Sequence, residues 1–160
     1  MSPTRREFLG TLGGLAAGYA LAPALRAAEA SGKPLGLALC GLGNYSNGEL
    51  SPALLETKNV KLVAVITGTR EKGVKLAKLH GFDEANIYSY EEWDKVAANK
   101  AIDIVYVVTP PGIHAQNVVA AFGAGKHVIC EKPMATSVND AEAITNKQVT
   151  ELRKRLEEMG

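Results

Sequence analysis

LGLALCGLGNYS, residues Leu35 to Ser46, is the stretch that decides the fold. Leu35 to Cys40 is an apolar run of strand length, and it passes straight into Gly41-Leu42-Gly43-Asn44-Tyr45-Ser46. A helix-compatible segment follows from Glu49 to Thr57. Strand, glycine turn and helix in that order make the phosphate-binding opening of a dinucleotide fold. Gly41 permits the tight turn, and Gly43 lets a pyrophosphate approach bare backbone. The next helix offers unpaired N–H groups and its positive dipole end. The third small position is Ser46, where the pattern has Gly or Ala. A glycine pair after a strand also occurs as a plain turn, so the motif needs support from the rest of the chain.

That support comes from alternation. Val60 to Thr67 (VKLVAVIT) is β-branched and nearly continuously apolar, as a strand covered on both faces should be. Glu71 to Leu79 reads as an amphipathic helix closed by Gly81, and Ile87-Tyr88 as a short third strand. Tyr90 to Ala98 is a helix with Trp93 and Val96 inward. Ile102 to Val108 is a fourth strand, ended by Thr109-Pro110-Pro111. Ile113 to Phe122 is a helix, His127 to Cys130 a fifth strand, and Ser137 with Asp140 caps a last helix. Repeated strand–helix alternation predicts an α/β fold, a doubly wound parallel sheet with right-handed crossovers. In that strand order the fourth strand separates Cys40 from Cys130 by roughly 9–10 Å, beyond disulfide reach.

The end of the second strand bears on the cofactor. An acidic residue here binds the adenosine ribose hydroxyls of NAD, and this chain has none. It offers Thr67, Thr69, Arg70 and Lys72, which suit a 2′-phosphate, so NADP is favoured over NAD, with NAD still open. Arg70 and Lys72 also fit the solvated first turn of a helix.

Bulk properties narrow the function. The 160 residues carry a net charge of +1, which gives no electrostatic case for a nucleic-acid partner. Two cysteines make neither a metal site nor a disulfide scaffold. Residues 1–30 are sequence of another kind. Thr4-Arg5-Arg6-Glu7-Phe8-Leu9 is a twin-arginine core, Leu12 to Ala22 a small apolar segment, and Ala28-Glu29-Ala30 a cleavage-site pattern. The expectation is export of a folded protein to the periplasm, with no membrane association once the signal is removed. Taking away three of 18 Lys/Arg and two of 17 Asp/Glu leaves the remainder balanced, 15 against 15.

Several phrases together resemble the Gfo/Idh/MocA oxidoreductases: the glycine turn, Ile104 to Pro110, His114-Ala115, Ala124 to Val128 and Glu131-Lys132-Pro133-Met134-Ala135. Within that family the export signal and the run Gly125 to Val138 are most similar to the periplasmic glucose–fructose oxidoreductase branch. The resemblance covers residues 34–144. It implies hydride transfer between a nicotinamide cofactor and a sugar or polyol. Carried over by position, Gly41, Gly43, Asn44, Tyr45 and Ser46 would line the pyrophosphate. Thr67, Thr69, Arg70 and Lys72 would sit near the adenosine ribose. Thr109, Pro110 and His114 would lie along the cofactor, and Glu131 and Lys132 would reach the nicotinamide ribose. Lys132 would stand beside the reacting carbon as the catalytic ammonium. His114 also suits a plain packing role, and His80 and His127 read as structural or exposed.

The sequence departs from the family after Ile144. The family's second, α+β substrate domain, with its acid/base pair, has no counterpart in these residues. The expected organisation is a signal peptide (1–30), a Rossmann domain (31–145) and a charged amphipathic helix (146–160). On that helix Val149, Leu152, Leu156 and Met159 form a narrow apolar stripe. The expectation is that this stripe packs on the domain itself, with self-association through the stripe or through the fifth, edge strand as the alternative. Three functional readings stay open: the NADP-binding half of a sugar or polyol oxidoreductase, a non-catalytic dinucleotide-binding module, and a truncated product with no activity of its own.

Overall fold

The computed structural model describes residues 32–159, so the twin-arginine segment lies outside the described residues. The strands are β1 (Leu35–Cys40), β2 (Val60–Ile66), β3 (Ile87–Tyr88), β4 (Ile104–Val107) and β5 (His127–Cys130). They are joined in one parallel sheet of order β3-β2-β1-β4-β5. The helices are α1 (Ser51–Glu56), α2 (Arg70–His80), α3 (Trp93–Ala98), α4 (His114–Gly123) and α5 (Val138–Met159). The winding reverses between β1 and β4. Their carboxyl ends therefore diverge into a crevice where ligands of doubly wound sheets bind.

Both faces of the sheet are covered, which is why its strands lack a polar side. Leu37, Leu39, Leu62 and Val65 pack with Leu76 and Ala77 of α2 on one face. Ala38, Cys40, Ala64, Ile66, Val105 and Val107 pack with Val96, Val118, Ala121 and Ile144 from α3, α4 and α5 on the other. Cover is thinner beyond β4 on the first face, where Ile129 of the edge strand β5 is 45% exposed. Cys40, Val107 and Cys130 are in register on three adjacent strands, and both cysteines are free thiols. Burial, with the Cys130 thiol as a lesser cause, pushes Cys40 up to about 12.

Three sequence expectations need correction. The first helix does not begin at Glu49. Helical backbone starts at Asn44 and widens into a π turn over Ser46–Leu50 before α1. Pro52 has no N–H for the carbonyl four residues back, and Ser51 N–H bonds instead to Ser46 O, five back. Second, residues 145 and 146 do not separate two elements, because α5 runs unbroken through them. Third, the apolar stripe of that helix points outward. Val149, Leu152, Leu156 and Met159 are exposed, and Arg155 donates to Gly125 O at 2.9 Å while Lys147 pairs with Glu151 at 2.7 Å. The Arg155 bond rather than the stripe ties this part of the helix down, the Lys147–Glu151 pair being internal to it. Its start agrees with the sequence: Asp140 N–H donates to Ser137 Oγ at 3.1 Å, and that hydroxyl donates to Asp140 Oδ2 at 2.8 Å.

A bulge shifts the β1–β2 register midway along β1. Leu37 pairs with Leu62 but Ala38 with Ala64, so Val63 is extra. Gly36, one residue earlier in β1, is pinned by Asp103, whose Oδ2 accepts from Gly36 N at 2.7 Å. A Cβ on Gly36 would stand 1.7 Å from Ala101 O and 3.0 Å from Val63 Cγ2. Gly36→Ala is expected to cost about 1–3 kcal/mol in urea denaturation. Gly48→Ala, whose Cβ meets nothing within 4 Å, should leave the midpoint unchanged or raised. Equal midpoints for the two variants would contradict this packing.

Candidate functional site

The crevice is built from the carboxyl ends of four strands. At β1, Gly41 N donates to Ile66 O at 2.9 Å and Val108 N to Cys40 O at 2.8 Å, which stitches the turn to both neighbours. Gly41 has φ +101°, and a Cβ there would lie 2.9 Å from Thr109 N and 3.0 Å from its Cγ2. The backbone conformation and the close approach each select glycine. Gly43 faces open space, with nothing within 4 Å of its Cβ direction. Asn44 and Tyr45 are exposed at the helix start. Ser46 is not among the lining groups. It is fully buried, and its hydroxyl donates to Gly41 O at 2.6 Å, closing the turn from beneath. Asn47, which the sequence reading missed, donates through Nδ2 to Gly43 O at 2.7 Å and Leu42 O at 3.1 Å. With those carbonyls tied back, the first-turn amides from Gly43 to Tyr45 are left for an anion.

The β2 side separates the two candidate bases. Thr67 is buried, and its Oγ1 accepts from Thr69 N at 3.1 Å. Thr69 precedes α2 without a side-chain capping bond. Lys72 Nζ donates to Leu42 O at 3.3 Å, which sets its ammonium against the glycine turn. Arg70 turns the other way, toward Ile87 O at 3.5 Å and Glu84 O at 3.3 Å. Two residues apart on a helix are about 200° apart in direction, so only one of the pair can face the crevice.

The β4 and β5 ends meet through buried contacts. Thr109 is 5% exposed and its Oγ1 has no hydrogen-bond partner. Pro110 is exposed on the rim. His114 does not lie on the surface of the crevice. It is 1% exposed, with Nε2 2.5 Å from Thr109 O and Nδ1 2.8 Å from Pro133 O. It therefore fastens the Thr109 loop to the Lys132-Pro133 loop, whose peptide bond is cis. Glu131 accepts the Tyr106 hydroxyl on Oε1 and Lys132 N on Oε2 at 3.2 Å. The Tyr106 bond holds the Glu131 carboxyl below its usual range. Lys132 is exposed on the loop. His80 is structural, its Nε2 2.8 Å from Ser51 Oγ, and His127 is exposed. Among the described residues no group of three or more His, Cys, Asp or Glu is placed to hold a metal ion.

The groups present suit a dinucleotide. A glycine turn has open space at Gly43, an ammonium flanks it on the β2 side, an unpaired buried hydroxyl lies at Thr109, and a fixed carboxylate stands at β5. Fold and site together define a Rossmann dinucleotide-binding domain. The family model described as "Oxidoreductase family, NAD-binding Rossmann fold" (GFO_IDH_MocA) matches residues 35–155, and the chain belongs to that family. D-xylose 1-dehydrogenase [NADP(+)] of Haloarcula marismortui is 32% identical over 113 residues, 71% of this chain and 31% of that protein. Oxidoreductase P35 of Formosa agariphila is 34% identical over 106 residues, 66% of this chain and 32% of that protein. Among solved structures, aldose-aldose oxidoreductase from Caulobacter crescentus complexed with glycerol superimposes with a TM-score of 0.71 at 39% identity. That match covers 74% of this chain and 36% of that one. The chain thus spans about a third of the length of the relatives it matches.

The buried Thr109 hydroxyl gives a direct check of this geometry. Thr109→Val keeps the shape and removes an unpaired polar atom. It is expected to leave the ligand-free protein as stable as the parent or about 1 kcal/mol more stable, by urea denaturation. A loss of stability would show that Oγ1 is bonded within the protein.

Proposed function

We propose that this chain is the NADP-preferring cofactor half of an oxidoreductase acting on a sugar or polyol. The observation that carries the cofactor preference is Lys72. Its ammonium is held at Leu42 O, at a β2 end that has no carboxylate to take a ribose 2′-hydroxyl. The family and two relatives whose names specify NADP or aldoses support the redox reading and the substrate class. When bound, the nicotinamide takes or returns the hydride of a carbinol carbon. The chain's own residues do the rest. First-turn amides from Gly43 to Tyr45 hold the pyrophosphate, Lys72 meets the 2′-phosphate, and Glu131 orients the second ribose. The Lys132 ammonium stabilises negative charge developing on the substrate oxygen. Asn47, Ser46 and His114 keep these groups in place without touching the ligand.

Lys72→Glu should weaken NADP binding by more than tenfold and NAD binding by less than threefold, read by calorimetric titration of the full chain. Equal losses for both would make Lys72 a surface residue and remove the basis for NADP preference.

Periplasmic destination belongs to the same proposal and rests on Arg5-Arg6-Glu7-Phe8-Leu9 ahead of an apolar segment. Replacing Arg5 and Arg6 by Lys should retain the protein in the cytoplasm, read by fractionation of cells expressing both forms. Unchanged export of the Lys form would point to another route.

A further inference from the structure

The site contains a side chain that no part of the cofactor reading uses. Tyr106 sits in the middle of β4, between the buried Val105 and Val107. Its ring is on the sheet face shared with Leu39 and Val65. Its hydroxyl reaches across to β5 and donates to Glu131 Oε1. On the other side the Tyr45 phenol lies near enough to add, as a minor cause, to the upward push on the Tyr106 phenol. Tyr45 follows the glycine turn after β1, so polar side chains from beyond β1, from β4 and from beyond β5 line up as one chain across the crevice. A phenol has one proton to give. Tyr106 gives its proton to the carboxylate. Burial and Glu131 both hold the Tyr106 phenol well above its ordinary value, so this donor stays protonated throughout the physiological range.

The position of this chain matters because of how a dinucleotide must lie. Its phosphates belong at the Gly41–Gly43 turn, and its 2′-phosphate end lies toward Lys72 and β2. The remaining half then extends over the ends of β4 and β5, within about 10 Å of the turn. Glu131 is the carboxylate there. Each of its oxygens has a second lone pair still available after Tyr106 and Lys132 N are served. Free in solution, a glutamate on a loop samples several rotamers. Held at Oε1 by Tyr106, it presents one.

We propose that Tyr106 is the positioning residue that fixes the Glu131 carboxylate for the ribose of the nicotinamide half. This rests on the dinucleotide reading above. It adds a division of labour within the site: the β2 side holds the adenosine 2′-phosphate independently, while grip on the nicotinamide half passes through Tyr106.

The test separates the two halves of the ligand. The full chain is titrated with NADP and with adenosine 2′,5′-bisphosphate, which lacks the nicotinamide half. Tyr106→Phe should weaken NADP about tenfold and leave the bisphosphate within twofold. Glu131→Ala removes the same contact from its other end and should show the same split, and the double variant should lose little beyond Glu131→Ala alone. The second variant keeps the test valid if Tyr106→Phe shifts the unfolding midpoint. Equal loss on both ligands would mean a structural role only. No loss on NADP, or losses that multiply in the double variant, would also overturn the proposal. If the unaltered chain binds neither ligand, the dinucleotide reading itself fails, and this inference with it. Binding of the bisphosphate with the expected split absent would overturn this inference alone.

Discussion

The contact between Gly41 and Thr109 is the constraint on which the crevice depends. The end of β1 is pressed so closely on the chain leaving β4 that no Cβ fits between them. The closeness has a cause on each side. Ser46 draws the Gly41 carbonyl inward from below, and Val108 N–H is tied to Cys40 O. His114 then passes the constraint onward, because one ring nitrogen meets Thr109 O and the other Pro133 O. A single path of contacts therefore runs from the phosphate turn to the loop that carries Glu131 and Lys132. Groups drawn from β1, β4 and β5 behave as one site because this path leaves their spacing little freedom.

Much of this was legible in the sequence, for physical reasons that can be named. The strands were readable because a sheet covered on both faces requires near-continuous apolar runs, and VKLVAVI and IVYV are such runs. The separation of Cys40 from Cys130 followed from strand order alone. Gly41 announced the turn because the backbone there excludes other residues. What the sequence concealed were directions. Arg70 and Lys72 look equivalent as letters, but helical pitch sends one toward β3 and the other toward the turn. Ser46 and His114 were expected to line the ligand, and both are buried with their polar atoms committed to backbone. Asn47 and Tyr106 carried only faint signals: an amide one residue past the third small position, and a lone hydroxyl-bearing ring in an otherwise aliphatic strand.

The last helix shows the same limit. Its apolar stripe is plain in the sequence, and packing inward was the simplest use for it. The structure instead ties this helix down with Arg155 on the Gly125 carbonyl and leaves the stripe exposed. Periodicity identifies an amphipathic helix but not which face its neighbour takes. The capping box at Ser137 and Asp140 was readable because it is local, whereas the tie that holds the far part of the helix joins residues thirty apart, Arg155 and Gly125.

The central claim is that these residues form a dinucleotide site that is folded and competent in this chain. The most direct test is thermal unfolding of the full chain over a range of NADP concentrations. A ligand that binds only the folded state stabilises it by an amount that grows with the logarithm of its concentration, about 2.7 kcal/mol at a hundredfold excess over the dissociation constant. The account predicts a melting temperature that climbs steadily as NADP is raised through and beyond saturation. A melting temperature that stays flat from micromolar to millimolar NADP, in a chain that unfolds cooperatively, would contradict it.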